Sequence, residues 1–213
     1  MNKNEALEKR NVLAAEKVIK NLQMRHMEAY YAESSEEALK IALSLIPEGS
    51  SVGWGGSFSI EEIGLKDAVK NGPYKYIDRD TAKDQDERNE LMRQCLTADT
   101  FIMGTNALSE TGEMVNIDGV GNRVAALCFG PKSVIVIAGM NKLTKSLDEA
   151  MDRARHYASP VNMQRFSTTT ACSKTGTCGD CLAELCCGQI VITRNCSPAG
   201  RIKVILVNDS LGI

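Results

Sequence analysis

Apolar positions recur at helical spacing at the start of the chain, where Ala14, Val18 and Leu22 fall on one face, and the following MEAYYA reads as extended. Ser34 or Ser35 caps a second predicted helix, EEALKIALSL, which stops at Pro47 and Gly49. A short strand, SSVGWGG, then runs into a helical stretch, SFSIEEIGLKDAVKNG, with Ser59 and Glu62 at capping-box spacing and Gly72-Pro73 as the stop. The cycle repeats with YKYID as strand, DQDERNELMRQCLTA as helix and DTFIMGTNAL as a buried strand. Such β-α-β alternation predicts an open, mostly parallel α/β sheet with helices on both faces.

After Asn106 the pattern changes. GEMVNID and RVAALCFG read as two extended runs joined by the turn-rich GVGN, a predicted hairpin or bent pair of strands. SVIVIAG reads as a central strand, and SLDEAMDRARHYA as a helix started by Ser146 and Glu149 and ended before Pro160. From residue 161 to 177 Ser, Thr, Asn and Gly dominate without apolar periodicity, which predicts a loop. GQIVITR and RIKVILVND are β-branched runs that return to the sheet. The whole reads as a single α/β domain over 1–213, with 161–196 a cysteine-bearing loop segment inside it.

Composition narrows the function. A formal net charge of −2, evenly mixed Lys, Arg, Asp and Glu, and 5% aromatic residues give no basic face for nucleic acid or an anionic membrane and no stacking platform. The opening MNKNEALEKRNVLAAEKVIKNLQ has no apolar signal-peptide core, and no run approaches the roughly 18 apolar residues of a membrane span. The expected location is the cytoplasm, where thiols stay reduced and metal ligation or redox chemistry is the better account of clustered cysteines than disulfides.

Six of the eight cysteines lie in ACSKTGTCGDCLAELCCGQIVITRNC. Cys178 and Cys181 form a C-x-x-C knuckle in a Gly-containing turn, with Cys172 before it and the pair Cys186-Cys187 after it, so four thiolates can converge. The predicted metal set is Cys172, Cys178, Cys181 and Cys187, with Cys186 as the alternative fourth ligand and Cys196 spare. One knuckle plus single cysteines points to a 4Fe-4S cluster, whereas structural zinc commonly uses two knuckles; zinc stays open as the alternative cofactor. Cys95 and Cys128 sit in apolar runs and read as small buried hydrophobes. His26 and His156 read as surface groups.

Two further stretches carry candidate chemistry. In VGWGGSFSIEEIG a Gly-rich strand end passes into a helix, which places Gly55, Gly56, Ser57 and Ser59 where backbone N–H groups and hydroxyls meet a phosphate or carboxylate. It lacks the spacing of a P-loop or of a dinucleotide fingerprint, and a plain βα turn is the competing account. Trp54 beside it either walls the crevice or packs in the core. In TNALSETGEMVNIDGVGNR, at a strand end, Glu110, Thr111, Asn116, Asp118, Asn122 and Arg123 gather carboxylates, amides and a guanidinium that suit a small ligand; ordinary turn chemistry is the competing account.

These residues also carry a resemblance. ADTFIMGTNALSETGEMVNIDGVGNRVAALCFGPKSVIVIAGMNKL, VGWGGSFSIEEIG, ACSKTGTCGDC and the closing RIKVILVNDSLG together resemble the LUD domain family of lactate utilization proteins, in its short, single-domain form with a C-terminal cysteine cluster. The resemblance implies a fold of the NagB/RpiA/CoA-transferase type and a part in lactate oxidation through iron–sulfur electron transfer, alongside iron–sulfur partner proteins. It brings no established catalytic residue; Glu110 is a candidate only by fold analogy. Related sequences have a longer interval and a single cysteine after the C-x-x-C, whereas here LAEL leads to a doublet, which leaves the fourth ligand open between Cys186 and Cys187. The alternative function is a small-molecule binding or CoA-transferase-like enzyme with a purely structural metal.

Overall fold

The computed structural model describes residues 2–181 and 186–213. The chain begins with α1 (Lys3–Met24), closed at its start by a reciprocal capping box between Asn2 and Glu5, and continues into β1 (Glu28–Ala32). Ser34 accepts from the Glu37 N–H and so starts α2 (Ser35–Ser44). β2 (Ser51–Trp54) leads into α3 (Phe58–Glu62) and α4 (Leu65–Asn71), which are separate helices because the backbone turns left-handed at Gly64 between them. β3 (Lys75–Ile77), α5 (Gln85–Gln94) and β4 (Thr100–Gly104) complete the first half.

The second half departs from the expected pattern in several places. The stretch FIMGTNAL is two strands, β4 and β5 (Ala107–Ser109), because the chain leaves one sheet for another between them. There Thr105 Oγ1 donates to the Ala107 and Val115 carbonyls and Asn106 Oδ1 accepts from the Ile117 N–H, so local side-chain bonds replace the ladder. β5 turns at residues 110–113 into β6 (Met114–Asp118), with which it pairs antiparallel. Gly112, at φ 94°, makes the tight return that the Ser109–Glu113 bonds close. The hairpin is therefore one connection earlier than expected.

RVAALCFG is not extended. It forms α6 (Asn122–Cys128), whose start is held by Asp118 Oδ2 accepting from the Val124 N–H. A short apolar run satisfies either periodicity, and here the carboxylate cap decides for the helix. One consequence is that Cys128 falls on the outward side and is exposed, contrary to the buried position expected of it, whereas Cys95 is buried.

β7 (Ser133–Gly139) and the two-residue β8 (Leu143–Thr144) follow. α7 (Leu147–Arg153), capped by Ser146, does not end before Pro160. It runs on through a π-helical turn, Ala154–Ala158, into α8 (Ser159–Met163). A proline removes one helical hydrogen bond and crowds the preceding turn, and the wider π turn directly before it relieves both. Within the segment expected to be loop lies one more short helix, α9 (Ala171–Thr175), and then β9 (Gln189–Thr193) and β10 (Ile202–Val207).

The main sheet is wholly parallel, in the order β1-β10-β7-β4-β2-β3. The second has the order β8-β5-β6-β9 and is mostly antiparallel, so of the last two strands only β10 returns to the main sheet. Side chains alternate along β7: Val134 and Val136 pack with Val18 and Leu22 of α1, while Ile135 and Ile137 pack with Ala38, Ala42, Ile60 and Leu65 on the other face. Helices on both faces make each central strand apolar throughout. The architecture is the open, mostly parallel α/β sheet that the alternation predicts.

Ile137 is fully buried in the second of these layers. Ile137→Ala should cost about 2–5 kcal/mol through lost transfer energy and a residual cavity. Urea unfolding would show a lower midpoint at unchanged slope; a cost below about 1 kcal/mol would contradict this packing.

Candidate functional site

The strands of the main sheet end at a crevice of about 730 Å³. Gly56 and Ser57 follow β2, Arg79 and Asp80 follow β3, Gly104, Thr105 and Asn106 end β4, and Lys142 follows β7. This is the usual place for a ligand in an open α/β sheet. Ile117 to Val120 and the start of α6 form one wall, and the α8 region, with Ser159, Asn162 and Met163, forms another. At the rim the Arg165 guanidinium stacks 4.0 Å from the centre of the Phe58 ring.

The floor is tightly built. A Cβ on Gly104 would stand 2.6 Å from Ser57 Oγ and 3.3 Å from Ser59 Oγ, so only glycine lets the strand end and these hydroxyls meet. Ser59 is fully buried and accepts from Lys142 Nζ at 2.8 Å. Lys142 is 4% exposed. Burial foremost, and then the positive charges of Arg153 and Arg123, lower its pKa to about 7, against a smaller opposite pull from Glu62.

Arg123 is the densest polar node. Its Nε donates to Asp118, Nη1 to the Gly104 carbonyl and Asn116, and Nη2 to Asn106 and the Ile117 carbonyl. All five N–H donors of the guanidinium are thereby engaged within the protein. Gly55 gives this side chain room, since a Cβ there would lie 3.0 Å from it.

A smaller pocket of about 80 Å³ adjoins the crevice and is lined by Cys172, Cys178, Cys181, Cys186 and Cys187. Ile117, Ser159, Met163, Cys186 and Cys187 line both spaces, so the two share a wall. Burial is the main influence raising the Cys187 thiol above its ordinary range, with Cys172, Cys178 and Cys186 adding to it and a hydrogen bond with Ser159 opposing it. Cys181 Sγ accepts from the Ala171 N–H at 3.3 Å, and Thr170 Oγ1 lies 3.5 Å from Cys172 Sγ. Among the described residues no three His, Cys, Asp or Glu side chains come together closely enough to hold one metal ion. The intervening Leu182, Ala183, Glu184 and Leu185 lie outside the described residues.

With this geometry in view, comparison with known proteins places the chain: the LUD domain matches residues 15–207. The chain belongs to the LUD domain family. Among solved structures, the LUD domain here is similar to a DUF162 family protein from Deinococcus radiodurans, with a TM-score of 0.53 and 13% identity over 94% of this chain and 98% of that one. That likeness concerns the fold. Partial overlays reach ribose 5-phosphate isomerase A from Neisseria gonorrhoeae (TM-score 0.35, 15% identity, 53% of this chain and 54% of that one). They also reach eIF2B delta from Chaetomium thermophilum (TM-score 0.36, 15% identity, 57% and 54%). No curated protein matches the chain.

Within this LUD domain the residues singled out from sequence separate into groups. Gly56, Ser57, Asp118, Asn122 and Arg123 line the crevice. Gly55, Ser59 and Asn116 lie directly behind it, packed on or bonded to Arg123 and Lys142, and Ser59 is a buried residue inside α3 rather than its cap. Glu110 and Thr111 are at the tip of the β5–β6 hairpin, and β6 separates them from Asp118 by about 13 Å at the usual rise per residue. Glu110 Oε2 accepts from Lys145 at 2.8 Å and Lys17 at 2.7 Å, and these bonds hold its carboxyl below the ordinary range. Thr111 bonds Glu113 in the same turn. The hairpin tip is thus bound up with α1 and does not reach the crevice.

Trp54 is buried and stacked on Tyr76, which is its packing role. His26 and His156 are exposed. Cys196 is buried apart from the other thiols of the tail, with Sγ accepting from the Ile202 N–H. Sequence reasoning missed Arg79, Lys142 and Arg165. Arg79 and Lys142 each lie two or three residues beyond a strand end, and that position was the available signal; Arg165 sits in a stretch without periodicity and gave none. Among the described residues no helix is long and apolar enough to cross a membrane.

Two outcomes follow from the buried charges. Arg123→Met should destabilise by about 3–5 kcal/mol because it leaves Asp118 buried without its partner, and Arg123→Met/Asp118→Asn should cost less than the single change, as measured by urea unfolding. For Lys142 the folded pKa, about 7, lies below its ordinary 10.5, so between these values the unfolded chain holds the extra proton. The penalty is complete below pH 7 and is relieved as pH rises towards 10.5. The stability of the protein relative to Lys142→Met should therefore climb by a few kcal/mol across that window, and a flat difference would refute the assignment.

Proposed function

We propose that this LUD domain protein is an iron–sulfur component of a redox system linked to lactate oxidation, with a 4Fe-4S cluster on Cys172, Cys178, Cys181 and Cys187 or Cys186. The crevice takes a small carboxylate or phosphate-bearing ligand, and electrons pass to iron–sulfur partner proteins. One observation supports this above the rest: five thiols line a single pocket that shares a wall with the crevice.

The donor set fits the group. Thiolates are the ligands of such clusters, and N–H and O–H groups near their sulfurs, as at Cys181 and Cys172, tune the potential. One C-x-x-C knuckle flanked by single cysteines suits a multi-iron cluster better than structural zinc, which commonly uses two knuckles. A cation bound there reverses the influences that keep Cys187 protonated. Bound there, the cluster supplies one-electron transfer beside the ligand. Ile117, Pro160 and Met163 give the thiol pocket apolar lining beside the sulfurs.

Anaerobic purification followed by iron, acid-labile sulfide and zinc analysis tests the reading. Four irons and four sulfides per chain with visible absorption are expected, reduced to background in Cys178→Ser/Cys181→Ser. Stoichiometric zinc without sulfide would instead favour the small-molecule binding or CoA-transferase-like alternative, in which the metal is structural.

A further inference from the structure

We propose that Lys142 is the nucleophile of the crevice and forms an imine with the carbonyl carbon of a bound 2-oxo acid. The inference rests on the reading that the crevice takes a small carboxylate, but not on the cluster.

Four observations converge on this residue. Among the described residues lining the crevice it is the one lysine, at the end of central strand β7. It has no ion pair among the described residues, although it is almost wholly buried; it donates a hydrogen bond to the neutral Ser59 hydroxyl. A buried ammonium left without a counter-charge is costly, so the site favours the unprotonated, nucleophilic amine. The charged groups that act on it are Arg153 of α7, Arg123 of α6 and Glu62 of α3. Of these, Glu62 is itself occupied by the Gly212 N–H at 2.6 Å, and Arg153 donates to the Asn106 and Asn141 carbonyls and, at 3.5 Å, to Ile213 O. Arg153 and Arg123 disfavour charge on the amine, while Arg79 and Arg165, which line the crevice, favour the carboxylate of an incoming 2-oxo acid.

The step balances without any further reagent. The nitrogen lone pair attacks C2, the carbonyl electron pair moves to oxygen, and the proton lost by nitrogen goes to that oxygen. A second proton transfer then releases water and leaves a C=N bond between Lys142 Nζ and C2. Ser59, bonded to Nζ, positions the amine; it touches no substrate.

Reductive trapping tests the proposal on the whole protein. Purified protein is incubated with pyruvate or with glyoxylate, reduced with cyanoborohydride, and digested for peptide mass mapping, while binding of each acid is followed in parallel by calorimetry. The expected result is one reduced adduct per chain on Lys142, formed faster as pH rises through about 7 and absent from Lys142→Arg. Lys142→Arg retains the charge, and its melting curve reports whether it folds. The mapping on the unaltered protein decides the matter even if the variant does not fold. Binding of either acid without an adduct, or an adduct spread over other lysines, overturns the imine and leaves the carboxylate crevice standing. No binding and no adduct overturns both, while the iron and sulfide content judges the cluster separately.

Discussion

The buried guanidinium of Arg123 is the constraint on which the architecture turns. Its acceptors come from the end of β4, the connection at Asn106, and Asn116, Ile117 and Asp118 of β6, so one side chain ties the main sheet to the second sheet. Asp118 neutralises it with one oxygen and starts α6 with the other. The charge cannot be left half-satisfied in such a setting, since the desolvation already incurred is offset only by the full set of bonds. The wall of the crevice is therefore rigid, and its most conspicuous cation is spent on the fold.

That allocation shapes what the crevice can do. A ligand's negative charge has to be met by groups other than the Arg123 N–H donors. Arg79 is held beside Asn122 and Met92, and burial lowers its pKa; Arg165 stands at the rim on Phe58. Lys142 is deeper and lacks a carboxylate partner among the described residues. The site thus grades from exposed guanidinium at the mouth to a desolvated amine at the floor. On the proposed reading such a gradient draws in an anion and leaves the amine where water is scarce.

Much of this was legible beforehand, and the failures have physical causes. Strands buried on both faces, such as SVIVIAG and RIKVILV, announce themselves by continuous β-branched runs, and the caps at Ser34 and Ser146 stand where short hydroxyl side chains precede acidic first turns. The reading failed where a distant partner decides. RVAALC is a helix because Asp118 reaches its N-terminus, and FIMGTNAL is two strands because Thr105 and Asn106 bond across to β6. Neither partner can be inferred from local period. For the same reason Asn116 and Arg123 were legible as polar residues at a strand end, while their mutual saturation was not. Lys142 stayed hidden because a single lysine after a strand looks like any solvated lysine until the sheet buries it.

Pro160 carries the largest functional consequence of a local misreading. Were the helix to stop before it, as a proline usually suggests, the residues after it would have no fixed relation to the crevice. The π-helical turn instead carries the helix past the proline and brings Ser159 and Met163 to the shared wall, and Asn162 to the crevice alone. The same continuous element grips the thiol segment at three points: Arg155 pairs with Asp180, Gln164 Nε2 donates to the Cys172 carbonyl, and Ser159 bonds Cys187. One helical element thus forms part of the wall of both pockets and holds the thiol segment against it. The proximity of the two pockets is therefore the work of one helix and its widened turn, which a stop before Pro160 would not have built.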